Sequence, residues 1–100
     1  MTYTKSSPEW QRIMRENSWF SPHSMEYWNS KVYWGTLQPI GNHQWLFISS
    51  EDNYERTHTL FSIRLVKSDN TIDTIEWQTA TTYEDAVWRL NEHSFVLGSC

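Results

Sequence analysis

Leu60-Phe61-Ser62-Ile63-Arg64-Leu65-Val66, then Lys67-Ser68-Asp69-Asn70, then Thr71-Ile72-Asp73-Thr74-Ile75-Glu76-Trp77 is the stretch whose reading decides the fold. Phe61, Ile63 and Leu65 alternate with Ser62 and Arg64, and Ile75 and Trp77 alternate with Thr74 and Glu76. A period of two marks β-strand, here with one apolar and one wet face. The polar segment between the runs reads as a hairpin turn. Because directly opposed side chains share a face, the alternation sets Phe61 against Trp77, Ile63 against Ile75 and Lys67 against Thr71. The loop is then Ser68-Asp69-Asn70, whose last position needs the left-handed conformation that Asn tolerates far better than a β-branched residue.

Working outward, Trp45-Leu46-Phe47-Ile48 is an unbroken apolar run between Gly41-Asn42 and Ser49-Ser50. It suits a central strand covered on both faces. Val32-Tyr33-Trp34-Gly35-Thr36-Leu37 reads as a further strand, ending at the turn-rich Gln38-Pro39-Ile40-Gly41-Asn42. The charged segment Glu51-Asp52-Asn53-Tyr54-Glu55-Arg56 reads as an exposed connection. Toward the N-terminus, Ser7-Pro8-Glu9 and Ser21-Pro22 are helix starts, with Ser as N-cap and Pro at the first helical position. The first predicts a helix from Pro8 to about Asn17 with Trp10, Ile13 and Met14 on one face, and the second a short helix to about Asn29. Trp19 and Phe20 precede the second cap, where apolar residues staple onto the following turn.

After the hairpin, Thr81 and Glu84 match a capping box. Tyr83, Ala86, Val87 and Leu90 then fall on one helical face, predicting a helix from about Thr82 to Glu92 laid on the sheet. The apolar tail Ser94-Phe95-Val96-Leu97 fits either a short edge strand or a segment tucked under that helix. The expected architecture is α+β in one domain, residues 1–100: two short N-terminal helices, a four-stranded antiparallel sheet, and a C-terminal helix packed on it.

Seven Trp, five Tyr and four Phe supply a core of few but large side chains. No run of about twenty apolar residues occurs, and Met1 to Pro8 is too polar for a secretory signal. The lone Cys100 cannot form an internal disulfide. Together these predict a soluble protein of the cytoplasm. The net charge of −4 is unevenly spread: all but one of the eight basic residues precede Ser68, whereas Asp69, Asp73, Glu76, Glu84, Asp85 and Glu92 follow it. Such an acidic third repels nucleic acid and attracts basic grooves.

Catalytic signals are sparse. His23, His43, His58 and His93 have no ligand spacing to one another or to Cys100, so neither a metal nor a cofactor is expected. There is no G-x-S-x-G elbow and no glycine-rich phosphate loop. The chain reads as a non-enzyme. Tyr33, Trp34, Trp45 and Phe47 could stack bases on an open sheet face, with Lys31, Arg64 and Lys67 on phosphates. The excess of acid argues against direct nucleic-acid binding, and core packing accounts for those rings more simply.

The run Trp19-Phe20-Ser21-Pro22-His23-Ser24-Met25-Glu26-Tyr27-Trp28, with Phe47-Ile48-Ser49-Ser50-Glu51, Phe61-Ser62-Ile63-Arg64 and Ile72-Asp73-Thr74, resembles small bacteriophage and mobile-element proteins of unknown function. In those proteins an aromatic-aromatic-Ser-Pro opening leads to a strand ending in Ser-Glu and then to a strand and hairpin carrying an aromatic-x-x-Arg pattern. The resemblance implies a phage or mobile-element origin in a host cytoplasm and a small α+β fold, and it brings no catalytic residue. The resulting expectation is an anti-CRISPR-like inhibitor that binds a host protein or ribonucleoprotein complex. Asp69, Asp73, Glu76, Glu84, Asp85, Glu92 and Trp88 are its expected contact residues, the acids mimicking phosphates. The rival expectation is a nucleic-acid accessory protein that stacks bases on the sheet.

Overall fold

A computed structural model of the chain describes residues 2–52, 55 and 57–98, and the side chain of Trp28 is left aside. Cys100, and Asn53, Tyr54 and Arg56 of the polar connection, lie outside the described residues. The order is α1 (Pro8–Glu16), a single 3-10 turn (Ser18–Phe20), α2 (Pro22–Trp28), β1 (Lys31–Gly41), β2 (Gln44–Asp52), β3 (Thr59–Val66), β4 (Ile72–Ala80) and α3 (Tyr83–Gly98). The strands form one antiparallel sheet in the order β1-β2-β3-β4, a meander. This is the expected α+β architecture.

At its turn the deciding hairpin has the register the alternation demands. The Lys67 amide donates to the Thr71 carbonyl at 2.8 Å, the Asn70 amide donates to the Lys67 carbonyl at 2.8 Å, and Asn70 is left-handed at φ 67°. Val66 faces Ile72 and Arg64 faces Thr74. Farther from the turn the register departs from expectation, because Ile63 faces Glu76 rather than Ile75, and Phe61 faces Ala80 rather than Trp77. Two irregularities in β4 cause this, one of them at Gln78, which is left-handed at φ 54° and donates its amide to the Ser62 hydroxyl at 2.8 Å. Each extra residue in a bulge turns the following side chains to the opposite face. Glu76 therefore lies in the half-buried seam, and Trp77 is 61% exposed.

The face expected to be wet is also covered. On one side Ala86 and Leu90 of α3 pack on Ile40, Leu46, Ile48, Phe61, Ile63 and Ala80. On the other, Trp10 and Ile13 of α1 and Phe20 of the 3-10 turn pack on Val32, Leu37, Phe47 and Val66. Trp10 is fully buried, meets Trp34 and Phe47 edge-on at 4.8 and 5.0 Å, and donates its indole N–H to the Trp34 carbonyl at 2.9 Å. Each edge-on pair adds about 0.5–1.5 kcal/mol beyond the area buried, which is how a nine-residue helix, marginal alone, is held.

Several boundaries shift for local reasons. β1 continues through Pro39 and Ile40, and the turn is Asn42-His43, both left-handed, at φ 54° and 59°. Pro is tolerated there because β1 is an edge strand. The cap of α3 is Thr82, one residue later than expected, its hydroxyl accepting from the Asp85 amide at 3.1 Å. Ser7 precedes α1, but its hydroxyl accepts from the Thr4 amide at 2.9 Å and makes no cap bond to the helix. The undecided tail simply continues α3 to Gly98.

Candidate functional site

The polar positions of the sheet form the first cluster. Arg64 and Glu51 are buried, with side chains 8% and 6% exposed, and are joined by a 3.0 Å ion pair between Nη2 and Oε1. Glu51 was expected in an exposed connection, but β2 carries it to the end of the covered α1-side face. Arg64 also donates through Nε to the Ser49 hydroxyl at 3.0 Å and through Nη1 to the Thr74 hydroxyl, while Ser62 donates to Glu51 Oε1 at 3.1 Å. The Trp19 ring covers the guanidinium at 5.3 Å. Burial pulls the Arg64 pKa down and the Glu51 carboxylate opposes that pull, the net being a lowered value. Three donor nitrogens of Arg64 and one oxygen of Glu51 are occupied within the fold, so the cluster holds strands and covering layer together.

Phe47 is fully buried and Arg64 lies inside this cluster, so neither faces solvent for stacking or phosphate contact. Lys67 pairs with Asp73 at 3.2 Å.

The acidic residues behind the docking expectation sort by what they touch. Asp69 sits in the β3–β4 loop and accepts from the Thr71 hydroxyl at 2.6 Å and the Thr71 amide at 3.0 Å, bonds that hold its pKa below the usual range. Asp73 is the exposed partner of Lys67. Glu76 is met by Arg89 at 2.8 Å, by His93 at 2.6 Å and by the Thr79 hydroxyl at 2.6 Å. Burial pushes the Glu76 carboxyl up, but the bonds from Thr79, His93 and Arg89 outweigh it, and its pKa is lowered. Asp85 pairs with Arg89 at 3.0 Å, one helical turn away. Its hydrogen bond is the largest influence raising the Arg89 pKa, followed by the one from Glu76. His93 is thus half-buried in the seam, whereas His23, His43 and His58 are exposed.

Glu84 and Glu92 differ: among the described residues they meet no cation. They lie four residues either side of Trp88, which is 62% exposed, and Phe95 follows at 77%. Residues spaced by three and four share one helical stripe, so Glu84, Trp88, Glu92 and Phe95 form a continuous strip along the outside of α3. Val96, 59% exposed, lies beside its end. Phe95 and Val96 were read as a tail that pairs or tucks in and were not among the expected contact residues, although the absence of Gly or Pro between Glu92 and Gly98 signalled that the helix runs on. Large exposed apolar groups rimmed by charge are the usual makeup of a docking surface, and aromatic anchors carry most binding energy in such places.

Among the described residues no helix is long and apolar enough to cross a membrane. A family model described as a family of unknown function (DUF7447) matches residues 7–91. No curated protein and no solved structure matches the chain.

Proposed function

The chain belongs to that family of unknown function, and from this premise we propose that it is a non-enzymatic binding protein whose α3 strip docks on a basic, partly apolar surface of a partner. The carrying observation is the pairing of exposed Trp88 and Phe95 with Glu84 and Glu92, acids that have no cationic partner among the described residues. A Lys- or Arg-bearing groove with an apolar floor complements both features. A second copy does not, since antiparallel α3 strips would set Glu84 against Glu92. The resemblance to phage and mobile-element proteins supports a host macromolecule as that partner, blocked in the manner of an anti-CRISPR inhibitor, in the host cytoplasm. Of the other acids, Asp69 and Asp73 are at the hairpin end, and Glu76 and Asp85 are both paired with Arg89 inside the fold, so their part in phosphate mimicry is secondary.

Affinity capture from a phage-bearing host tests this. A partner retained by the wild type at low salt is expected to be lost from Trp88→Ala and from the double variant Glu84→Lys, Glu92→Lys, with unchanged melting curves. A partner retained equally by folded variants refutes the assignment of the α3 strip.

A further inference from the structure

A second, separate surface lies on the opposite side of the sheet, between α1 and the tip of the β1–β2 hairpin. There a cleft of about 790 Å³ is lined by Arg12 and Arg15 of α1, His43 of the hairpin turn, and Pro39 and Trp45, which face each other across β1 and β2. Its size falls in the range of small-molecule sites. Arg12 and Arg15 are three apart on the helix and therefore project to the same side. Both are exposed, and among the described residues neither has an ion-pair partner. This distinguishes them from Arg64, Lys67 and Arg89, each of which meets a carboxylate inside the fold. Trp45 is half-buried and held edge-on by Tyr3 at 5.8 Å, so its ring is fixed in place.

We propose that this cleft binds a phosphate attached to a flat heterocycle, as in a nucleotide or a nucleotide unit of a single strand. Two guanidinium forks match phosphate geometry, and His43 adds a further donor on the facing wall. The indole of Trp45 and the ring of Pro39 give the heterocycle an apolar platform. Glu9 also lines the cleft and places one carboxylate beside the two arginines. It repels a second phosphate and can accept from an exocyclic amino group, which favours one phosphate with an amino-bearing base. The site uses none of the α3 residues, so it stands or falls independently of the docking surface.

The test uses two probes on the full chain at about 50 mM salt: adenosine monophosphate by calorimetry, and a fluorescently labelled adenine-rich strand of about twelve nucleotides by polarisation. Saturable binding of at least one probe is expected, weakened at least tenfold by the double variant Arg12→Ala, Arg15→Ala. Both positions are exposed, so the melting curve should not change. For the strand, losing this one phosphate contact should also flatten the salt dependence, the slope falling by about 0.7. Trp88→Ala should leave both affinities as they are. Binding of the mononucleotide alone assigns a free nucleotide, and binding of the strand alone assigns a nucleic-acid segment. If neither probe binds saturably, or the double-alanine variant binds as the wild type does, the proposal is overturned.

Discussion

Replacing Arg64 with Met removes one half of a buried ion pair whose other half stays in place. Glu51, with a side chain only 6% exposed, would keep the Ser62 hydroxyl as its hydrogen-bond donor and lose its cation. Removing one partner of a buried pair costs about 3–5 kcal/mol, because the remaining charge is desolvated without compensation. A small domain has only about 5–15 kcal/mol of stability in total. At about 4–8 °C per kcal/mol for a chain near this size, the midpoint should fall by about 12–40 °C. The double variant Arg64→Met, Glu51→Leu takes away both charges and lets Met pack on Trp19, so it should recover most of the loss. Urea unfolding of the wild type, both single variants and the double variant gives the coupling energy directly, provided the slopes agree. Additive single effects, or a cost under about 1 kcal/mol for Arg64→Met, would refute the view that this pair ties the sheet to its covering layer.

Ser62→Ala takes a donor from Glu51 and an acceptor from the Gln78 amide, so it should cost about 1–3 kcal/mol in urea unfolding. His43→Gly places Gly at a left-handed turn position now held at φ 59° and should raise stability by about 1 kcal/mol, read as a higher thermal midpoint. The lowered pKa of Glu76 has a sign that can be checked. With the folded value below the ordinary glutamate value of about 4.3, its stabilisation is complete above that value and disappears as pH falls through the folded one. Glu76→Gln should therefore flatten the acid limb of a melting-temperature profile in that window.

Legibility from sequence followed the range of the physics. The Ser68-Asp69-Asn70 loop, the Lys67–Thr71 pairing and the left-handed Asn70 could be read because alternation and turn stereochemistry involve residues a few positions apart. The Ser21 cap, the apolar face of α1 and the covered strand β2 were legible for the same reason. Ser62 and Arg64 read as solvent-facing because nothing local reveals that a helix 50 residues earlier covers their face. The β4 bulges that carry Glu76 inward and Trp77 outward arise with the Ser62–Gln78 bond and the arrival of Arg89 and His93, all long-range partners. The two candidate surfaces divide likewise. Trp88 and its flanking acids follow from helical spacing alone. The cleft at Arg12 and Trp45 exists only because α1 folds back beside a hairpin tip some thirty residues away. Sequence by itself set the elements and their local register, since steric preference and periodicity act between near neighbours. Tertiary structure alone decided which polar groups were buried and which faces met, since desolvation depends on whatever else the chain brings alongside.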